Sequence, residues 1–366
     1  MNTKLVKEGT TEFSVFKSNY SKKGPGKKEK TPFYNPAMEL NRDVSLIVNQ
    51  WLIDSNNKNV KILDGLAASG ARGVRFCNEL NGDFEVIIND WDKDAYNLIK
   101  KNIKQNHLEN VISSNYNLNV LLLQEKFDSI DIDPFGSPIY FIDSAMKSIR
   151  HKGIIACTAT DSACLCGVYP KVCKRRYGAI PFHCNVMHEI GLRILLGVLC
   201  REAGKYDKGI YPVLSYTTDH YYRIYIQIRN GVNAANDSIQ NLNILKSEEI
   251  ECIEEKRKEN IGPLWTGKLH NKKIIKNLRS ILSNGEYKSK NLIWKLFELL
   301  EEEADAPMFF YSTEYLASKL KMSPPKMDII FERLKEKGFD VSKTHFSVTG
   351  FKTTASKEEV LSCFYK

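Results

Sequence analysis

Between residues 60 and 161 short apolar runs alternate with amphipathic stretches, and this alternation constrains the fold more than any other feature of the chain. "VKILDG" (60–65), "FEVIIND" (84–90), "KFDSIDID" (126–133) and "GIIACTATD" (153–161) read as buried strands. A helix to about residue 80 follows the small-residue loop "LAASGARG" (66–73), and "KDAYNLIKKNIKQN" (93–106) and "PIYFIDSAMKSIR" (138–150) read as further helices. Repeated strand–helix units join parallel strands, and a parallel sheet needs helices on both faces. An α/β domain with a mostly parallel sheet is therefore expected. Ligands of such sheets bind beyond the carboxyl ends of the strands, so the acids that end these strands are the first candidates for function.

At 366 residues the chain exceeds one ordinary core, and two domains are expected. "HEIGLRILLGVLCREAGKY" (188–206) reads as a long helix, and "YPVLSYTTDHYYRIYIQIRN" (211–230) as two antiparallel strands turning near Thr218–Asp219. These close an N-terminal domain spanning 1–235, in which the polar, basic, glycine-punctuated segment 1–32 reads as partly loop. Residues 231–262 read as an insertion or linker. The remainder, 236–366, is expected to be a smaller α+β domain. It holds the helix "KNLIWKLFELLEEEA" (290–304), then a helix, turn, helix and hairpin around 306–352 that suggest a winged-helix arrangement.

The longest apolar run, "ILLGVLC" (194–200), is too short to span a membrane, and the N-terminus lacks an apolar signal segment. The nine cysteines include no C-x-x-C pair; the one close pair is Cys164 and Cys166. Scattered, odd-numbered thiols suit a reducing compartment, so a cytoplasmic location is expected, with no membrane and no obligate protein partner evident. The formal charge is +9 and is clustered: eight lysines against three acids in 1–30, then "KVCKRR" (171–176) and "KLHNKKIIKNLR" (268–279). Each cluster alone could be a solvated lysine surface. Together they favour a polyanionic partner, most simply nucleic acid.

Asp64 ends the first strand ahead of the small-residue loop, whose glycines and alanines let a ligand approach the backbone beside a helix N-terminus. Asp90 ends the second strand, where an acid can accept both hydroxyls of a ribose. This spacing suits either a dinucleotide or S-adenosylmethionine, and the absence of G-x-G-x-x-G counts against the dinucleotide. Singly, each acid is equally a helix cap. "DPFG" (133–136) ends the next strand. An exocyclic amine on a base shares its lone pair with the ring and needs a carboxylate and a backbone carbonyl to accept its N–H bonds and turn that lone pair outward. Asp133, Pro134 and Phe135 supply the carboxylate, the rigid carbonyl and a ring for stacking. Asp131, on the opposite strand face, reads as a supporting residue, and a plain strand-ending turn is the competing reading. In "TPFYNPAMELNRD" (31–43), Phe33 and Tyr34 are stacking candidates, while Asn35 and Arg42 can bind a carboxylate or phosphate.

Together, "FYNPAMELNRD", "LDGLAASGARGVR", "DIDPFGSP", "TATDSACLCG", "RRYGAIPFHCNVMHEIGLRIL" and "GPLWTGKL" resemble the tRNA (guanine-N2)-dimethyltransferase family, in order, from about residue 31 to 270. The resemblance implies a Rossmann-like class I methyltransferase fold with a family-specific C-terminal domain that binds tRNA. It implies S-adenosylmethionine as donor, and mono- then dimethylation of the guanine N2 at position 26 of tRNA. Carried over, Arg42 and Arg72 contact the cofactor or organise its loop, Asp64 lies at the foot of that loop and Asp90 holds the ribose. Asp133 is the catalytic acid, and Phe33 and Phe135 sandwich the guanine. Where the family has an Asp-Ala pair for the adenine, this chain reads Asn117-Leu118, so an amide or the backbone makes that contact. Many members carry a four-cysteine zinc element after the last strands; residues 230–267 here hold only Cys252, so no zinc is expected. The rivals are an amino-methyltransferase acting on DNA adenine or protein glutamine, and a non-catalytic RNA-binding relative.

Overall fold

The computed structural model describes residues 3–17, 32–218, 221–253 and 258–365. The chain opens with an antiparallel hairpin, β1 (Thr3–Glu8) and β2 (Thr11–Phe16). The expectation of partial loop in 1–32 does not specify this hairpin. Phe13 and Val15 alternate inward onto Ala71, with Val6 packed against them, while Lys4 and Lys7 are exposed. The rest of the expected loop, 18–31, lies outside the described residues.

Helix α1 (Glu39–Asp54) leads into the alternating units: β3 (Val60–Asp64), α2 (Ala71–Glu79), β4 (Phe84–Asn89), α3 (Lys93–Gln105), β5 (Val111–Ser114), α4 (Leu118–Gln124), β6 (Phe127–Ile132), α5 (Ile139–Ser148) and β7 (Ile149–Ala159). Two short helices, α6 (Ser162–Leu165) and α7 (Pro170–Tyr177), precede the long α8 (Met187–Gly204). An antiparallel pair follows, β8 (Lys208–Thr218) and β9 (Tyr221–Asn230); the turn itself lies outside the described residues. The seven strands order as β5-β4-β3-β6-β7-β9-β8, with β3 to β7 parallel and β9 antiparallel to β7. The mostly parallel α/β sheet expected from the alternation is present. Its residues alternate between two apolar layers: Leu63, Ile87 and Ile130 enter one, Ile62, Val86 and Ile88 the other. From β3 the chain winds outward to β5, then returns to start β6 on the other side of β3. The carboxyl ends of β3 and β6 therefore flank the switch point where open α/β sheets form their crevice.

The segment read as an insertion or linker is folded. It forms α9 (Val232–Ile239), β10 (Leu242–Lys246) and β11 (Asn260–Trp265), the last two an antiparallel pair. The boundary expected at 235/236 falls inside α9. Each piece is too short to show a clear period, and the pairing spans non-local sequence. Next come α10 (Lys272–Asn284) and α11 (Lys290–Glu302), then β12 (Tyr311–Ser312), α12 (Thr313–Leu320), α13 (Met327–Glu336), β13 (Val341–Lys343), β14 (Gly350–Thr353) and α14 (Lys357–Ser362). α12 and α13 stand with a three-stranded sheet ordered β12-β14-β13.

This C-terminal unit shares one apolar cluster with the main sheet, running from Leu63 to Phe364. A buried charge network also ties them together. Lys352 donates to Glu189 of α8 at 3.0 Å, Arg193 donates to the same carboxylate at 2.8 Å, and Glu303 accepts from Thr344 at 2.6 Å and from His345. His270 and His345 flank Glu303 and could be taken for metal ligands. Their chemistry differs from a ligand set. His270 Nδ1 faces the Ser215 N–H at 3.3 Å and accepts from it, so the proton sits on Nε2, and the Lys352 ammonium lies 3.7 Å from Glu303. No helix among the described residues is long and apolar enough to cross a membrane.

Candidate active site

The loop between β3 and α2 is shaped for close approach. Gly70 takes φ +74° to start α2, and a Cβ at Gly65 would lie 3.0 Å from the Asp131 carbonyl and from both Leu118 methyls. Asp64, at the end of β3, accepts the Gly73 N–H at 2.9 Å. Burial pushes its carboxyl up to about 7 against the pull of Arg72, leaving an acid that a cationic group would stabilise in its charged form. Asp90 accepts the N–H groups of Ala68 at 2.7 Å and Asp92 at 2.8 Å, which fixes the loop, while burial raises its pKa.

Asn117 caps α4 by accepting the Asn119 N–H at 3.0 Å, and Leu118 is buried beside Gly65. Asp64, Asp90 and the Asn117-Leu118 pair thus meet around one glycine loop. Sequence reasoning missed Asn89, whose amide donates to the carbonyls of Gly65 and Tyr116, both at 3.1 Å, and so ties the loops after β3 and β5. It also missed Trp91 (67% exposed) and Tyr116, apolar rings left open at the same edge; the signal available was an aromatic directly after Asp90.

Across the switch point, Asp133 is 21% exposed and receives a charged hydrogen bond from Arg72 Nη2. The other Arg72 nitrogen donates to Asn41 at 2.9 Å and Ser45 at 2.5 Å and lies 3.4 Å from Asp131. Asp131 is gripped in turn by Arg223, at 3.0 and 2.5 Å. Burial alone would raise the Asp131 pKa, but Arg223 and then Arg72 hold it below the usual carboxylate range. A chain of alternating charge therefore runs Arg223, Asp131, Arg72, Asp133. Arg223 was not singled out from sequence, although a lone arginine amid "YYRIYIQI" is an available signal, since a buried cation demands partners.

The loop holding Pro134 and Phe135 is pinned by Gly136 N–H to Thr160 Oγ1 at 2.7 Å and Thr160 N–H to the Gly136 carbonyl at 2.9 Å. Phe33 and Phe135 meet edge to face at 5.1 Å, so the two rings expected to sandwich a base are neighbours, with each ring occupying the space beside the other. Arg42 is differently engaged. Its Nε and Nη2 donate to Glu8 at 2.7 and 2.5 Å, Nη2 also reaches the Asn35 carbonyl at 3.0 Å, and its guanidinium lies over Tyr34. In this structure Arg42 braces the Phe33-Tyr34-Asn35 segment against the N-terminal hairpin.

The profile of the N2,N2-dimethylguanosine tRNA methyltransferase family matches residues 13–365. The chain belongs to this family. A tRNA (guanine(26)-N(2))-dimethyltransferase of Pyrococcus abyssi is 39% identical over 350 residues, covering 89% of this chain and 90% of the relative. One of Thermococcus kodakarensis is 36% identical, with 97% of each chain covered. Trm1 from Pyrococcus horikoshii, solved with S-adenosyl-L-methionine, is 32% identical and superposes with a TM-score of 0.87 over 99% of this chain and all of that one. In this dimethyltransferase-family chain the Asp64–Asp90 loop cradle and the Asp133–Phe135 motif therefore face each other across the β3/β6 switch point.

Proposed function

We propose that the protein transfers methyl groups from S-adenosylmethionine to the exocyclic N2 of guanosine 26 in tRNA, giving N2-methyl- and then N2,N2-dimethylguanosine. The observation that carries this reading is the convergence, at one switch point, of a glycine-lined cradle with a ribose-type acid and a carboxylate flanked by two aromatic rings. The family relatives bear the corresponding name.

The residues fit the donor. Gly65 and Gly70 admit close backbone approach, Asp90 ends its strand where ribose hydroxyls can be held, Asn117 and Trp91 offer an amide and a ring for an adenine, and buried Asp64 favours a cationic partner. When bound, the donor supplies a methyl group on a sulfonium.

The chain's own work concerns the amine. Asp133 and the Pro134 carbonyl accept its two N–H bonds, which turns the lone pair toward the methyl carbon. The N–C bond would form as the S–CH3 bond of the sulfonium breaks, its electron pair staying on sulfur as a neutral thioether, and one N–H proton passes to the Asp133 carboxylate. Arg72 orients that carboxylate beforehand, and Asp131 with Arg223 keeps Arg72 in place. Phe33 and Phe135 stack on the extruded base once their rings part. After the first transfer one N–H remains, so rotation of the amine lets the same carboxylate act again. A Cβ at Gly136 would have nothing within 4 Å, leaving room near Asp133 for the first methyl group.

The test is incubation of the purified protein with S-adenosylmethionine and tRNA lacking the modification. Methylguanosine at position 26 is the expected product, and equal methylation of DNA oligonucleotides would favour the adenine-directed rival.

A further inference from the structure

The three basic clusters in the sequence differ in how far acids neutralise them among the described residues. The N-terminal lysines 22–30 lie outside the described residues. In 268–279, Lys268 and Lys272 pair with Asp305 at 2.5 and 3.5 Å, Lys276 lies 3.9 Å from Glu301, and Arg279 bonds Glu301 at 2.7 Å while stacking on Trp294. Much of that cluster's charge is therefore balanced by the acids of α11 and the turn after it. On α7, Lys171, Lys174 and Arg175 are exposed and make no ion pair among the described residues.

This helix is fixed rigidly to the active-site loop. Its inner face buries Cys173 and Tyr177 completely. The Tyr177 hydroxyl donates to Asp161 at 2.5 Å and accepts from Ser137 at 2.8 Å, two residues beyond Phe135. Arg176 clamps the same Asp161 at 3.2 Å. Around the three free cations stand rings turned to solvent: Tyr169 at the N-terminal end of α7 is 58% exposed and Tyr140 at the start of α5 is 65% exposed, with Tyr140 in electrostatic reach of Arg176. Phe135, 49% exposed, continues the surface toward Asp133. Cations interleaved with exposed rings suit single-stranded nucleic acid, in which phosphates and unstacked bases alternate. A merely solvated helix gives no reason for large rings to stay in water beside the site.

We propose that the face formed by α7 and Tyr140 is the subsite for nucleotides flanking the target guanosine, with Tyr140 and Tyr169 stacking on unpaired bases and Lys171, Lys174 and Arg175 holding phosphates. The inference rests on the tRNA reading above and places the ribose-phosphate path on the catalytic side of the molecule, beside Phe135.

The experiment uses the full chain and unmodified tRNA transcript. Kd is measured as a function of salt, and kcat and KM at saturating S-adenosylmethionine, for the wild type, for K171Q/K174Q/R175Q and for Y169A. The triple variant should weaken tRNA binding at least ~10-fold at low salt and flatten the slope of log K against log salt by about 2. Its kcat at saturating tRNA and its affinity for S-adenosylmethionine should stay within about twofold of the wild type. Y169A should raise the tRNA KM roughly fivefold or more with the salt slope unchanged, since stacking carries no counterion release. Wild-type Kd and slope in the triple variant would overturn the proposal. The two readings fail separately. A wild type that binds tRNA through these residues without methylating it overturns the proposed function alone; a triple variant that methylates with unchanged KM overturns the subsite alone.

Discussion

Replacing Asp64 by Asn tests whether the cradle holds a strained acid. The carboxyl is 3% exposed, and burial lifts it from 3.8 to about 7 against the opposing effects of Arg72 and the Gly73 N–H. A group whose folded pKa is the higher one binds its proton more tightly in the folded state, so stability is fully present below the unfolded pKa and is lost as pH rises through the folded value. The window is therefore about pH 4 to 7. The difference of about three pH units, at about 1.4 kcal/mol each, amounts to about 4 kcal/mol of stability lost by pH 8. Asn keeps the acceptor for the Gly73 N–H, now at 2.9 Å, and carries no charge to desolvate. Urea unfolding of ligand-free wild type and Asp64→Asn at pH 5, 6, 7 and 8 isolates the effect, because other titrating groups cancel in the difference. The variant's advantage over the wild type should be smallest at pH 5 and larger by about 2–3 kcal/mol at pH 8, the rest of the effect having developed between pH 4 and 5, while the variant binds S-adenosylmethionine more weakly. A difference that does not change with pH, or a variant less stable at pH 8, would refute the reasoning.

Other perturbations probe the surrounding framework. Gly73→Ala places a Cβ 2.6 Å from Ile88 Cγ1, and overpacking of this kind should cost about 1–3 kcal/mol in chemical denaturation. Glu8→Gln uncharges the carboxylate shared by Arg42 and Arg75, leaving buried cations underpaired; a loss of about 3–5 kcal/mol is expected, read as a lower urea midpoint. Arg223→Met leaves Asp131 to Arg72 alone and should weaken the hold of Arg72 on Asp133. Beyond any loss of stability, kcat should then fall while the tRNA KM stays near the wild-type value, and an unchanged kcat would reduce Arg223 to a structural role. Metal analysis of the purified protein should find less than stoichiometric zinc; one zinc per chain, lost on His270→Ala, would overturn the proton assignment at His270.

The strands that build the site were legible because burial on both faces makes them continuous apolar runs ending in acids. Asp64, Asp90 and Asp133 stand at strand ends for that reason. What stayed hidden depends on pairing across long sequence separations. Arg42 was visible as a cation for a ligand, but its partner Glu8 sits 34 residues away in a hairpin whose apolar signal is Phe13 and Val15. The chain from Arg223 to Asp133 joins residues up to 92 apart in sequence, so no local pattern reveals it. The lysines of 268–279 read as an open basic patch, and only the packing of α10 on α11 sets Glu298, Glu301 and Asp305 against them. The segment 231–262 read as an insertion or linker because α9, β10 and β11 are short and find their partners in α8 and in each other.

The most direct measurement is nucleoside mass spectrometry, with the position mapped, of unmodified tRNA treated with S-adenosylmethionine and either the wild type or Asp133→Ala. The account predicts N2-methyl- and then N2,N2-dimethylguanosine at position 26 with the wild type. It predicts neither product with the variant, which should still bind tRNA. Methylation at wild-type rate by Asp133→Ala, or no methylated guanosine at position 26 from the wild type, would contradict it.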